Sequence, residues 1–381
     1  MLRLISPFWE AVGLISGMII GSGMFAIPYA VTMSGFWRGV FGAIVAFFAV
    51  LAIHLAYGEV VTNDSEAHRL PGFVRKHFGS FAGEISGFSQ ILSFNIVLIV
   101  YGILGGKFLS TFIGYGSSEF WAILFFILCG LIFLLISIRS LGFISLMLTT
   151  PLIAATLYIS YLAIRVGNLE NIIFINGTNS FFAFSVFVFA LSGLSVIADA
   201  KNIWKGSVSI FSQLRKAIIV STTIPAILYV VFTAGVLSAS GIATTPDSLT
   251  GLIPYLGNFV VRIGSLIGFL AVITSYLGLG YDLRKIYELD RGIHSFVAWG
   301  LVAIVPLGFF IAGLTSFIKL MSLVGGFFVV VDGIFVIFVL RKMRNKPGHI
   351  KFLPFNSIIQ FALVILFVAS ATLEVLYQIR Y

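Results

Sequence analysis

Two apolar stretches of this chain are interrupted at their middles by small residues: GMIIGSGMFAIP at 17–28 and FALSGLSVIAD at 189–199. At membrane depth a helix can be broken only where its freed amides and carbonyls line a polar cavity, because hydrocarbon offers them no partner. Breaks at corresponding places in two halves of a chain point to a substrate site between the halves.

The chain around them is built for a bilayer. It has 381 residues, 59% hydrophobic and 10% charged, with mean hydropathy +1.10. A soluble domain carries about 25% charged residues. A spanning helix takes about 20 apolar residues, and such segments are centred near residues 20, 48, 96, 128, 153, 190, 227, 269, 303, 328 and 366. The fold class is therefore all-α integral membrane with about 11 transmembrane helices. The connections are short, so any chemistry has to sit among the helices. The first segment runs through Pro28 to about residue 33 without a small-residue cleavage site and is read as a span, not a leader.

Ser22 and Gly193, at the two breaks, are 171 residues apart. Shifted back by about that amount, the segments centred at 227, 269, 303 and 328 fall on those at 48, 96, 128 and 153. Five helices per unit place the second copy upside down. The expected organisation is a five-plus-five inverted repeat, residues 1–166 and 167–345, with one extra C-terminal helix in 346–381. Even helix spacing alone can mimic such an offset; the coincidence of two breaks favours the repeat.

The pI near 9.7 and net charge of +9 would suggest nucleic acid if the cations clustered on a soluble face. They do not. Arg38, Lys107, Arg165, Arg262, Lys319 and Arg380 lie on one side, and the other 17 of the 23 Lys and Arg residues fall on the opposite side. The bias orients the chain with its N-terminus cytoplasmic and, after eleven crossings, its C-terminus external. The lipid bilayer is the partner this composition calls for, with neither nucleic acid nor an obligate protein partner implied. Cys129, the only cysteine, lies in an apolar run and supports neither a disulfide framework nor a thiolate site.

In the first segment, Gly21, Ser22 and Gly23 interrupt the helical pattern and permit backbone angles that expose polar groups. The half-helix beginning near Phe25 would turn its amino end toward the cavity, a favourable place for a carboxylate. The carbonyls around Gly17 and Ile20 carry the opposite partial charge and suit a small cation. In the sixth segment Ser192, Gly193 and Ser195 supply the matching break, with Phe189 placed to close over a solute. In the eighth, AVITSYLG (271–278) offers the hydroxyls of Thr274 and Ser275 and the Ala271 carbonyl, which with Gly17 and Ile20 would make five oxygens. On these residues alone, tight helix packing through small residues and back-bonding of Ser and Thr to the preceding turn remain open as alternatives.

Asp332 and Glu374 lie within long apolar runs, where a charge costs about 2.5–3.5 kcal/mol. Each is a candidate proton carrier or a structurally paired group. His54 and Glu59, near the inner end of the second segment, read as interfacial or packing groups. No lysine occurs in 143–164 and no cation marks the centre of another segment, which disfavours an uncompensated anionic substrate.

GMIIGSGMFAIP resembles the first-helix signature of permeases in the amino acid, polyamine and organocation superfamily. LRKAIIVSTTIPAILYVV (214–231) and FLAVITSYLGLGYDL (269–283) resemble the seventh and eighth helices of the hydroxy and aromatic amino acid permeases. These are related to the sodium-coupled neutral amino acid transporters. The resemblance covers nearly the whole chain and implies the five-plus-five fold of the sodium-coupled leucine transporter. It implies Na+ ligands at Gly17, Ile20, Ala271, Thr274 and Ser275, and substrate contacts at Gly21, Ser22, Gly23, Phe189, Leu191, Ser192 and Gly193. Val196 and Ile197 stand where aromatic permeases often carry proline, which leaves the particular substrate open. The missing fifth-helix lysine removes the cation substitute of some proton-coupled relatives and favours sodium.

The expected function is secondary active import of neutral amino acids across the plasma membrane by alternating access, coupled to Na+ rather than H+ and needing no other cofactor. A proton-coupled aromatic or hydroxy amino acid permease is the alternative. A membrane-embedded enzyme would need a cluster such as H-E-x-x-H or G-x-S-x-G, and neither occurs. A channel would be built on filter loops or symmetric assembly, of which the sequence shows no sign. The metal-ion branch of the fold, marked by D-P-G-N at the first break, is excluded by Gly21 to Met24.

Overall fold

The computed structural model describes residues 6–64, 68–135, 138–173, 175–177, 179, 181–204, 210–352 and 356–380, and all regular structure among them is helical. In chain order the α-helices are α1 (Pro7–Ile19), α2 (Ile27–Ser34), α3 (Phe36–Asn63), α4 (Leu70–Phe78), α5 (Ser80–Ile113), α6 (Ser118–Leu135), α7 (Ile138–Val166) and α8 (Glu170–Ile173). They continue with α9 (Phe182–Leu191), α10 (Leu194–Lys201), α11 (Ile210–Ser240), α12 (Ile253–Lys285), α13 (Ser295–Ile311), α14 (Phe317–Leu323), α15 (Val329–Met343) and α16 (Ser357–Arg380). Eight helical segments are long and apolar enough to cross a bilayer, and Pro7–Ile19 with Ser22–Ser34 forms a ninth, bent by 43°. The shorter apolar helices Ser118–Phe133 and Ser295–Ile311 occupy the fourth and ninth places. Every expected span thus falls on a helix.

The packing repeats itself. α1 lies on α11 as α9 lies on α3, and α7 meets α11 as α15 meets α3. α6 packs on α5 as α13 packs on α12, while α7 meets α12 as α15 meets α5. These contacts of the first five spans have counterparts in the second five, as an internal repeat requires. α16 stands outside this scheme, against α14 and α15.

Glycine allows the closest of these approaches. A Cβ at Gly102 of α5 would collide with the Phe126 ring of α6, and one at Gly325 with the Ser185 carbonyl of α9. Without water to expel between helices, such van der Waals fit is what joins them. Large apolar side chains at Trp37, Phe41, Ile44 and Phe48 remain exposed along one face of α3 and suit lipid contact.

Three features are not apparent in the periodicity. α4 is a short helix that buries Leu70, Phe73 and Val74 and ends in Arg75, Lys76 and His77. The tenth span is two helices joined by a π-turn at Val324–Phe328, containing Gly325 and Gly326. His54 and Glu59 are 1% and 0% exposed, so both serve packing. The Glu59 carboxylate accepts hydrogen bonds from Arg344 at 2.6 Å, His349 at 2.8 Å and the Phe352 amide at 2.8 Å. Those bonds dock the segment before α16 onto α3.

Candidate functional site

α1 ends at Ile19, and Ile20 (φ −75°, ψ 83°) carries the chain out of the helix. Gly21 is extended, Ser22–Ala26 forms a 3-10 turn, and α2 begins at Ile27, two residues beyond the Phe25 start expected from sequence. Pro28 explains the shift: it sits in the first turn of α2, where proline needs no donor and its φ is already helical. In the sixth span α9 ends at Leu191, Ser192 and Gly193 leave the helix, and α10 begins at Leu194. The two breaks touch. A Cβ at Gly23 would lie 2.6 Å from the Ala190 Cα, and one at Gly193 would lie 2.7 Å from the Ile19 side chain.

Side chains from α3 and α11 take up the backbone groups these breaks release. His54 Nε2 accepts the Gly193 N–H at 3.0 Å, and its Nδ1 lies 3.0 Å from the Thr222 hydroxyl. An Nε2 that accepts leaves the proton of a neutral ring on Nδ1, directed at Thr222. The Tyr229 hydroxyl, fully buried, donates to the Ile19 carbonyl at 2.6 Å and lies 3.1 Å from the Ala190 carbonyl. From the loop between α11 and α12, Ser248 donates to the Phe25 carbonyl at 2.6 Å from a left-handed backbone (φ 57°). The buried Ser22 hydroxyl lies beside the Tyr101 hydroxyl, and the two offer polar contacts to a solute at the first break.

Both breaks open onto one cavity. Gly21, Ser22, Gly23, Phe189, Ser192 and Gly193 line it, with Tyr101 beside Ser22. It extends along one face of α5, past Val97, Phe94 and Ser93 to Gln90. At about 1.5 Å per residue, Tyr101 to Gln90 is about 16 Å. At the far end stand Arg69, Asp282 and Asp332. Arg69 spans three elements. Its guanidinium donates to Asp199 at 2.9 Å, to Asp282 at 3.2 Å and to the Ser195 carbonyl at 2.7 Å. Counting charges by span put Arg69 in a loop and left the cavity without a cation. The fold instead tucks that loop against α10 and α12.

A cavity between two broken, contacting helices in a repeated membrane bundle is the architecture of a solute carrier, and comparison with known proteins settles which kind. The tryptophan/tyrosine permease family model matches residues 5–373. The chain belongs to that family. The permease is thus an amino acid transporter and not an enzyme, held in the membrane by many spans. Its fold is similar to that of MhsT, whose crystal structure is in complex with L-phenylalanine. The TM-score is 0.74 at 13% identity, over 96% of this chain and 97% of that one. In all, 135 chains of solved structures match the permease. No curated protein matches it significantly.

Of the substrate contacts expected from sequence, the permease brings six to the cavity wall. Leu191 is buried behind it. The expected ion ligands lie outside that wall. A Cβ at Gly21 would be 2.8 Å from Ser275 Oγ, so α12 closes directly on the first break. The Thr274 hydroxyl donates to the Ala271 carbonyl at 2.9 Å, the back-bond open to any helical threonine. Gly17 approaches Thr149 of α7. Asp332 reaches the cavity, whereas Glu374 accepts from Ser322 at 2.6 Å, Ser185 at 3.2 Å and Gln378 at 2.7 Å, joining α16 to α9 and α14. Tyr101, Tyr229, Thr222, Gln90 and Arg69 escaped the sequence reading, since none stands out from the residues around it.

Proposed function

We propose that this permease imports neutral amino acids, aromatic ones among them, by alternating access across the plasma membrane, with Na+ as the coupling ion. The contact of Gly23 with Ala190, which makes the two breaks one continuous cavity wall, carries the reading. Glycine-rich backbone at helix ends suits the carboxylate of an amino acid. The Ser22 hydroxyl and the Tyr101 beside it are further partners for it. The aromatic preference is drawn from the family's name and from the phenylalanine bound by MhsT.

The sodium assignment draws on Ser275 and the Thr274–Ala271 pair of α12, which abut the carbonyl end of α1 through Gly21. The repeats are assigned to 1–166 and 167–345, with 346–381 added. The N-terminus is assigned to the cytoplasm and the C-terminus to the exterior. Proton coupling is the second reading, favoured by the unpartnered Oδ1 of Asp332 on the cavity wall.

Uptake of each of the twenty amino acids into proteoliposomes, under a sodium gradient or a pH gradient alone, tests both. Phenylalanine, tyrosine or tryptophan should accumulate under the sodium gradient, and Gly23→Val should abolish this. Uptake that follows only the pH gradient would transfer the coupling to Asp332. The absence of any amino acid uptake would end the amino acid assignment of the breaks.

A further inference from the structure

We propose that the end of the cavity away from Tyr101 is a separate binding site for an organic ammonium group, with the Asp332 carboxylate as its counter-ion. A substrate would dock its α-amino group there in transit. The proposal rests on the reading of the breaks as the amino acid site.

Asp332 of α15 is 8% exposed and lines the cavity. Its Oδ2 accepts from the Gln90 side-chain amide at 3.3 Å, while the buried Oδ1 has no partner among the described residues. The nearby cation is committed elsewhere: the Arg69 guanidinium is divided among Asp199, Asp282 and the Ser195 carbonyl. No ion pair to Asp332 occurs among the described residues. A carboxylate at such depth is expensive unless a donor joins it, and a native buried acceptor left unpaired asks for one.

The surroundings select the donor. A hard metal ion gathers six or so oxygens, whereas this site offers one carboxylate and one side-chain amide. The wall leading from the breaks is apolar, formed by Val97, Phe94, Leu279, Ile286 and Val329. That wall suits a charged amine with an apolar body. At about 16 Å, the separation of Tyr101 from Gln90 along α5 exceeds what one amino acid head group can bridge. The Asp332–Gln90 pair is therefore distinct from the Tyr101 end of the cavity. A solute leaving the breaks along this wall meets Asp332 beside the Arg69 ion pairs, where its ammonium gains the missing acceptor.

The test separates the two ends of the cavity with phenethylamine, an ammonium without a carboxylate. Its binding to purified permease in lipid nanodiscs is measured by calorimetry in potassium buffer. Wild type, Gly23→Val, Asp332→Asn and Asp332→Glu are compared. Phenethylamine should bind wild type and Gly23→Val alike, bind Asp332→Asn about tenfold more weakly, and recover with Asp332→Glu, which also controls for folding. Equal binding to Asp332→Asn and wild type overturns the proposal, as does binding lost in Gly23→Val but kept in Asp332→Asn. Displacement of the amine by Na+, with Na+ binding itself lost in Asp332→Asn, overturns it in favour of a metal-ion site. No amine binding to wild type, together with loss of pH-driven uptake in Asp332→Asn, overturns it in favour of a proton carrier. Amine binding that depends on Asp332, found alongside a failed twenty-amino-acid panel, would sink the function proposed above and leave this site standing.

Discussion

His54 accepts the backbone N–H of Gly193 at 3.0 Å, so a side chain of the second span completes the helix break in the sixth. Its other ring nitrogen faces Thr222, and one neutral imidazole thereby ties α3, the second break and α11 together. A backbone amide released at membrane depth needs such a partner.

His54→Leu should therefore leave the Gly193 amide buried and unpaired, at a cost of about 1–3 kcal/mol. The expected outcome is a lower melting temperature in detergent and reduced uptake with expression retained. Thr222→Val, which removes only the outer partner, should cost less. Equal melting of His54→Leu and wild type would show that the amide finds another acceptor.

Tyr229 performs the converse service for carbonyls. Its hydroxyl donates to Ile19 at the end of α1 and lies within 3.1 Å of Ala190 near the end of α9. Tyr229→Phe keeps the ring and removes the donor, so no cavity forms and only the hydrogen bonds are lost. The cost should be about 1–3 kcal/mol. Because both breaks lose their common partner, substrate affinity should weaken as well. Binding of labelled phenylalanine to wild type and variant checks this, and unchanged affinity with reduced stability would make Tyr229 a packing residue only.

These two residues mark where reading the sequence stopped. The breaks themselves were legible, since GSG and SG within apolar runs are local signals, and so were the spans. The 171-residue offset led to the repeated packing described here. His54 reads from sequence only as an interfacial or packing group, because a lone histidine near a helix end carries no mark of the amide it accepts from. Tyr229 is one of 13 tyrosines, and only the tertiary approach of α11 to both breaks singles it out. Arg69 is a loop cation by composition and a cavity residue by fold. Gln90 and Asp332 are 242 positions apart, and their pairing is fixed by α5 meeting α15.

Arg69 joins the loop before α4 to α10 and α12 through Asp199 and Asp282. Removing a partly buried partner strands charges that were paired, and exposure of the Asp199 side chain, at 44%, moderates the loss. Arg69→Gln should destabilise the fold by about 1–3 kcal/mol. Adding Asp282→Asn should restore part of that, because the second carboxylate then needs no cation. A double-mutant cycle on melting temperature measures the coupling, and simple additivity of the two changes would argue against a functional ion pair.

Sodium coupling gives the sharpest division between readings. The Thr274 hydroxyl donates to the Ala271 carbonyl at 2.9 Å but keeps its oxygen lone pairs. Ser275 Oγ stands against Gly21, where α1 has released its last carbonyls. If these groups hold a cation, replacing Thr274 and Ser275 together by alanine removes two of five oxygens in a setting with few substitutes. Sodium-driven uptake should then fall steeply, while phenylalanine binding measured without sodium changes little. The same variant should retain any uptake driven by pH alone, since Asp332 and its Gln90 partner are untouched. Wild-type uptake that persists unchanged when choline replaces sodium would remove the need for this ion, and the back-bond would then be the whole role of Thr274. The carboxylate of Asp332, with one oxygen unpaired on the cavity wall, would become the site through which a gradient could act.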